Sequence, residues 1–276
     1  MKLCCYSAAV LKYPLNKALE YIAKAGYSYV EFLSCNPSVS RSLWGFEGHT
    51  LPIGNGAKRA SLKEKLKALD LKAVTVCPLY EDANYLSLDK NVKKKTMKIT
   101  RDHIDFGQDL EMKLISIFLG EFRKGSFFQA WDACVETMRE VGDYAKSSGI
   151  TVVIENGAVH RHLVTVPEDL AKLIDDINHP AVKAIADLAN AVMGCEDPVL
   201  LVRVLGNRIR HVHTGDNEGG VLFQHLTPGK GKVPYAECYR ALKEIGYEGY
   251  VSVEIFNPED PLGAMIEGKK VIERYL

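Results

Sequence analysis

Short apolar runs alternate with longer amphipathic segments along the whole chain. The runs are Lys2–Ser7, Tyr29–Ser34, Ala73–Leu79, Leu114–Gly120, Thr151–Asn156, Ala181–Leu188, Ile209–Thr214 and Tyr250–Phe256. Most are rich in Val, Ile, Tyr or Phe and lack regular polar alternation. This pattern is typical of strands that are buried on both faces of a parallel sheet.

Several of the intervening segments have the apolar spacing of a helix and end at a glycine. These are Leu15, Ala18, Leu19 and Ile22 before Gly26, then Cys134, Met138, Val141 and Ala145 before Gly149, and Tyr235, Tyr239 and Leu242 before Gly246. A helix that ends at glycine and leads directly into a strand is typical of α/β folds with parallel strands.

Eight such strands alternating with helical segments predict a single (β/α)8 TIM barrel, of class α/β, that forms one domain over residues 1–276. A doubly wound open sheet is the alternative, but no GxGxxG motif follows the first strand. Two connections are long, from Cys35 to Ala57 and from Asp216 to Val233. In a barrel, long loops of this kind usually cover the active site.

Charge and composition disfavour several classes of partner. Lys+Arg and Asp+Glu number 35 each, so no global field favours nucleic acid or an anionic membrane. No run approaches the ~20 apolar residues of a membrane-spanning helix, and the N-terminus lacks a convincing signal peptide. The seven scattered cysteines show no zinc-binding spacing. We therefore expect a cytoplasmic protein with reduced thiols and neither nucleic acid nor membrane as partner.

Metal-binding residue types occupy the ends of the last four predicted strands. In chain order they are Glu155, Asp187, His213 and Glu254. Active sites of (β/α)8 enzymes lie at these strand ends. Three carboxylates gathered there would repel one another, and a divalent cation removes that conflict. The set predicts one divalent metal ion, with Mn²⁺ as first choice and Mg²⁺, Co²⁺ or Zn²⁺ as the other candidates.

Each of these residues has a simpler interpretation when it is taken alone. A strand-end glutamate is commonly solvated, Asp187 could cap a helix, and His213 could be a hydrogen-bonded core residue. Their occurrence at four equivalent positions favours the metal site. His211 lies on the same strand face as His213 but deeper, so it either supports His213 or packs beneath it.

These segments resemble the xylose-isomerase-like barrel superfamily, which includes ketose 3-epimerases, hydroxypyruvate isomerases and inosose dehydratases. The similar stretches are Ile-Glu-Asn at 154–156, Ala-Asp-Leu-Ala-Asn at 186–190, His-Val-His-Thr-Gly-Asp-Asn at 211–217 and Val-Glu-Ile at 253–255. The resemblance implies that the four strand-end residues bind one metal, and that Glu155 and Glu254 also carry out acid–base catalysis.

The nearest pattern is that of the ketose 3-epimerases, and the chain departs from it at three positions. Asn190 stands where those enzymes usually have a substrate-binding His, Gly219 where they have an Arg, and Arg161 where they have a Glu. These departures leave the sugar substrate open. We expect Asn190, Arg161, Glu121, Lys230 and Trp44 to contact substrate, with Lys230 as a candidate for a substrate phosphate.

The resulting hypothesis is a sugar isomerase or epimerase of carbohydrate metabolism that abstracts a proton next to a carbonyl through a metal-stabilised enediolate. Return of the proton to the same carbon gives an epimer, and return to the neighbouring carbon gives an aldose–ketose isomer. Loss of a β-hydroxyl would instead make the enzyme an inosose-type dehydratase.

Two other classes remain open. A phosphodiesterase like endonuclease IV would need two or three metals and a basic surface, and the N-terminal half lacks evident additional ligands. A non-catalytic binding subunit would be expected to have lost ligands. The expected partner is a small carbohydrate, and assembly as a homo-oligomer is left open.

Overall fold

The chain forms a nearly closed parallel barrel in a computed structural model that describes residues 1–122, 124–158, 162–220 and 223–276. The eight strands in these ranges are β1 (Lys2–Tyr6), β2 (Tyr29–Cys35), β3 (Lys72–Leu79), β4 (Leu114–Ile117), β5 (Thr151–Glu155), β6 (Val182–Asp187), β7 (Ile209–Thr214) and β8 (Tyr250–Val253). Their order is β3-β2-β1-β8-β7-β6-β5-β4. The predicted (β/α)8 architecture is therefore confirmed.

The strands at the two ends of this order approach each other through their side chains. Thr75 Oγ1 of β3 lies 3.0 Å from Ser116 Oγ of β4, and both residues are buried. Between the ends, every paired strand is parallel, and the register matches Asp187 with His213 and His213 with Ser252. The pairing therefore brings the ends of the later strands to one level.

Helices surround the barrel. They are α1 (Leu15–Lys24), α2 (Pro37–Trp44), α3 (Gly56–Ala68), α4 (Lys90–Asp109), α5 (Phe127–Ser147), α6 (Pro167–Ile177), α7 (Leu188–Met193), α8 (Pro198–Leu205), α9 (Tyr235–Glu244) and α10 (Pro261–Glu273). The predicted apolar face of α5 is buried, and Gly26, Gly149 and Gly246 have positive φ after their helices. In the described ranges, every helix is too short or too polar to cross a lipid bilayer.

Strands β4 and β8 each end three residues before their apolar runs predict. Strand β4 ends at Ile117, because the chain turns away through Gly120 with φ of +89°. Glu121 therefore lies in the loop beyond β4 rather than at the strand end. Strand β8 ends at Val253, although Glu254 N still donates a hydrogen bond to Thr214 O at 3.3 Å. Apolar composition alone does not separate the last strand residue from a buried loop residue that follows it.

Different interactions hold the two long connections in place. The first contains α2, which Asn36 caps by accepting a hydrogen bond from Val39 N. The second, residues 215–234, is organised by the buried Asp216 carboxylate. Its oxygens accept hydrogen bonds from the backbone N–H groups of Asn217, Gly229 and Val233 at 2.8–3.1 Å. This one side chain joins the start of the loop to its Pro-Gly-Lys-Gly segment.

We expect Asp216→Ala to destabilise the fold by about 2–3 kcal/mol, because buried backbone donors lose a charged acceptor. Urea unfolding followed by circular dichroism measures the change. Lys230→Ala is the control in the same loop, since its ion pair with Glu267 is exposed and worth about 1 kcal/mol or less. Equal unfolding midpoints for the two variants would contradict the role of Asp216.

Candidate active site

The four strand-end residues predicted from the sequence converge at one end of the barrel. Glu155 and Asp187 are the last residues of β5 and β6, His213 is in β7, and Glu254 directly follows β8. One potential ligand atom from each lies within 4.8 Å of those of the others. Asp187, His213 and Glu254 are buried, and the Glu155 side chain is 12% exposed. We call these four residues the strand-end cluster.

Two carboxylates of the cluster approach the same nitrogen of the His213 imidazole. Its Nδ1 is 2.8 Å from Glu155 Oε1 and 3.2 Å from Glu254 Oε2. Glu254 Oε2 is buried and receives no hydrogen bond of good geometry within the described part of the chain. A buried carboxylate oxygen left in this state is costly unless a cation or a ligand satisfies it.

Asp187 both caps a helix and belongs to the strand-end cluster. Its Oδ1 caps α7 by accepting hydrogen bonds from the N–H groups of Ala189 and Asn190 at 2.8 and 3.0 Å. Its backbone is fixed by Asn156, which accepts from Asp187 N and donates to Asp187 O. The helix-capping interpretation is therefore correct and leaves Oδ2 for the cluster, because the cap uses only Oδ1.

The electrostatics reflect crowding of like charges in a buried space. Burial raises the pKa of Glu155 to about 8; the His213 imidazole opposes this shift, and the Glu254 and Asp187 carboxylates add to it. Burial lowers the pKa of the His213 imidazole, but the surrounding carboxylates, led by Glu31, raise it well above its usual value. Without a cation, this site therefore retains protons that neutralise the carboxylates.

Two residues that lie at the site were not identified from the sequence. His225, from the loop of residues 215–234, places Nε2 3.5 Å from both Asp187 Oδ2 and Glu254 Oε2. Burial lowers the pKa of His225, but the Glu254 and Asp187 carboxylates raise it to about 9. Glu31 of β2 lies beneath His213, with both carboxylate oxygens 3.1 Å from its Nε2. A lone carboxylate within the apolar run of β2 is the one clue to Glu31.

Aromatic rings form one wall beside the cluster. Tyr6 stacks on His213 at a centroid distance of 5.5 Å, and Phe256 packs against His225 at 4.3 Å. Trp44, expected at the substrate site, contacts Phe256 edge-on, with 5.8 Å between the ring centroids. Trp44 therefore belongs to the same wall through Phe256.

The remaining predicted substrate residues have different surroundings. Asn190 is buried, and its Nδ2 donates to Asn156 O at 3.1 Å. Glu121 pairs with His162 in an isolated bridge and lines a cleft of about 380 Å³ with Tyr80, Asn84 and Phe118. Lys230 makes an ion pair with Glu267 of α10 at 2.6 Å. Arg161 lies outside the described residues. Their substrate contacts stay predictions.

We expect the metal-free protein to lose thermal stability as the pH rises from about 6.5 to 8. In this window the folded state keeps protons on Glu155 and His225 that the unfolded chain releases, since both folded pKa values are raised. Melting temperatures measured with a chelator present test this. Glu155→Gln should flatten the profile because it removes one titrating group. A wild-type melting temperature that does not change with pH would contradict the expectation.

Comparison with curated proteins finds sugar epimerases and dehydratases. L-ribulose 3-epimerase of Methylomonas sp. is 27% identical over 255 residues, covering 88% of this chain and 79% of that protein. Inosose dehydratase of Clostridium tetani is 25% identical, covering 84% and 86%. Fructoselysine 3-epimerase of Escherichia coli O157:H7 is 27% identical over only 126 residues, which span 45% of this chain and 46% of that protein. The relatives thus include both isomerases and a lyase.

Solved structures share the whole fold. A D-tagatose 3-epimerase-like protein superposes with a TM-score of 0.84 and 25% identity, covering 100% of this chain and 97% of its own. The IOLI protein, whose structure contains a zinc atom, has a TM-score of 0.81 and 21% identity, covering 100% and 99%. The family model described as xylose isomerase-like TIM barrel matches residues 19–275. The chain therefore belongs to the xylose isomerase-like TIM barrel family.

Proposed function

We propose that this protein is a divalent-metal-dependent epimerase or isomerase of a small ketose or related sugar derivative. The observation that carries the proposal is the strand-end cluster, in which three carboxylates and one imidazole approach within 4.8 Å in a largely buried space. The epimerases and dehydratases among the relatives support a carbohydrate substrate.

The cluster fits a divalent cation on its own chemistry. Glu155, Asp187, His213 and Glu254 would supply the ligands, and the unsatisfied Glu254 Oε2 is the kind of atom that a cation would complete. Three carboxylates with one imidazole favour Mn²⁺, followed by Mg²⁺, Co²⁺ and Zn²⁺. When bound, the ion would act as a Lewis acid that stabilises negative charge developing on the substrate oxygens.

The two glutamates are the proposed acid–base pair. One carboxylate removes the proton next to the substrate carbonyl, the C–H electron pair forms a C=C bond, and the carbonyl electrons move to oxygen. The other glutamate, in its protonated form, returns a proton to carbon. Glu155 ends β5, Glu254 directly follows β8, and both carboxylates approach Nδ1 of His213, so the two groups lie close enough to act on the same substrate.

A keto-sugar dehydratase is the alternative at the same site. It would begin with the same proton abstraction and end with loss of a β-hydroxyl as water. The match to inosose dehydratase, over 84% of this chain, favours keeping it as the second candidate. The two reactions differ in whether the product retains all of its oxygen atoms.

A panel of D-fructose, D-psicose, L-ribulose and inosose, incubated in D2O with Mn²⁺, tests the reaction. We expect deuterium at the carbon attacked in at least one sugar, and NMR and mass spectrometry distinguish epimer, isomer and dehydrated product. Glu155→Gln and Glu254→Gln should each slow exchange by ~100-fold or more at saturating metal, because each loses a proton-transfer group. Glu267→Gln, an exposed change on α10, is the matched control. Near-normal exchange in either site variant would remove that residue from catalysis.

Metal content is a separate test. We expect about one Mn²⁺ per chain by elemental analysis after dialysis, and loss of most of it in Asp187→Ala, because that variant removes a ligand atom from the cluster. Glu267→Gln should retain the metal. Two or three tightly bound ions per chain would favour phosphodiesterase chemistry instead.

A further inference from the structure

A buried carboxylate lies inside the barrel beneath the strand-end cluster. Glu31 is fully buried in β2, at the point where the register between β2 and β3 shifts. A register shift of this kind redirects a side chain relative to its neighbours. Glu31 contacts both His211 and His213, which lie two residues apart on β7, so its carboxylate is between the two side-chain layers.

Three groups besides His213 hold this carboxylate in place. Ser116 Oγ donates to Glu31 Oε1 at 2.9 Å. Ser252 Oγ donates to Glu31 Oε2 at 2.6 Å, and His211 Nε2 lies 2.7 Å from the same oxygen. These contacts come from β4, β8 and β7, so the carboxylate is fixed from several sides of the barrel. A buried charge is tolerated only when it is hydrogen-bonded in this way.

The contact between Glu31 and His213 determines which imidazole nitrogen carries the hydrogen. An ionised carboxylate only accepts hydrogen bonds, and both of its oxygens lie 3.1 Å from Nε2. The hydrogen of a neutral His213 ring is therefore on Nε2. The opposite nitrogen, Nδ1, is then unprotonated and faces Glu155 and Glu254.

We propose that Glu31 is a positioning residue that accepts the Nε2–H of His213 and so presents Nδ1 as a metal ligand. This inference rests on the proposed function, because it assumes that the strand-end cluster binds a cation. Stacking of Tyr6 on the ring restrains the plane of the imidazole. Histidine ligands commonly donate their second N–H to a carboxylate, which fixes the ring and increases its basicity.

Glu31, His211 and His213 also bring ligand atoms within 4.8 Å of one another. Their contacts favour a hydrogen-bonded network over a second ion, because Ser116 and Ser252 already direct hydroxyl hydrogens at the carboxylate. A cation between the same oxygens would have to displace those donors. Stoichiometry therefore distinguishes the two arrangements.

The first experiment uses the wild-type protein and needs no substitution at Glu31. Long-range ¹H–¹⁵N NMR of the ¹⁵N-histidine-labelled, Zn²⁺-loaded protein reports which nitrogen of each ring is protonated, and the His213→Asn variant assigns the signals. We expect His213 to be protonated at Nε2 and to show a metal-induced shift at Nδ1. Protonation at Nδ1, or zinc bound through Nε2, would overturn the proposal.

The second experiment measures Co²⁺ affinity by its visible absorption. Glu31→Gln should weaken binding by about 10–100-fold and change the absorption envelope, as expected for loss of a ligand's carboxylate partner. Glu31→Asp, which keeps the charge, should recover part of the affinity. Ser116→Ala is the matched control, because it removes a hydrogen bond to Glu31 but leaves the contact with His213, and its affinity should stay within about threefold. Melting of the metal-free variants verifies folding.

The outcomes separate this inference from the proposed function. Wild-type protein that binds no Co²⁺ would contradict the metal site itself. Wild-type binding of one ion, with unchanged affinity and spectrum in Glu31→Gln, would overturn only the role of Glu31. Two ions per chain, with one lost in Glu31→Gln, would also overturn it in favour of a second metal site.

Discussion

Repulsion among three carboxylates in a small buried space is the constraint on which this site depends. Glu155, Asp187 and Glu254 are held together by strands that the hydrogen-bond ladder fixes in place, so they cannot separate to relieve it. In the absence of a cation, the conflict is reduced by retained protons, as the raised pKa values of Glu155 and His225 indicate. A divalent ion would remove the same conflict and restore the charged carboxylates that proton transfer requires.

Buried polar side chains inside the barrel lie beneath the strand-end cluster and contact it through His213. Glu31 and its serine and histidine partners form a buried polar layer that crosses the barrel. Such a layer is costly unless its donors and acceptors are nearly all paired. The hydrogen bonds to Glu31 offset this cost, and the layer and the candidate metal site share the imidazole of His213.

Loop residues complete the candidate site that forms at the strand ends. The Asp216 carboxylate organises the loop of residues 215–234, and that loop delivers His225 to Asp187 and Glu254. Phe256, which follows β8, packs against His225 and contacts Trp44 from the end of α2. The polar cluster is therefore flanked by an aromatic wall built from three separate connections. Family membership fixes the barrel, whereas these connections are where members of one fold differ in substrate.

The sequence by itself determined the barrel and its four strand-end residues. Apolar runs that lack alternation specify buried parallel strands, and a polar residue at the end of such a run is recognisable because its neighbours are apolar. Glu155, Asp187, His213 and Glu254 were predictable for this reason. Glycines after the helices marked helix ends in the same local way.

Tertiary structure alone decided the residues that act across the barrel. Glu31 is 182 positions before His213 in the chain, and no local pattern connects a carboxylate in β2 with an imidazole in β7. His225 reaches the site through the fold of a long loop held by Asp216. The ends of β4 and β8 were also decided by the turns that follow. Local periodicity reports which face of an element is buried, whereas barrel closure and loop packing determine which distant side chains meet.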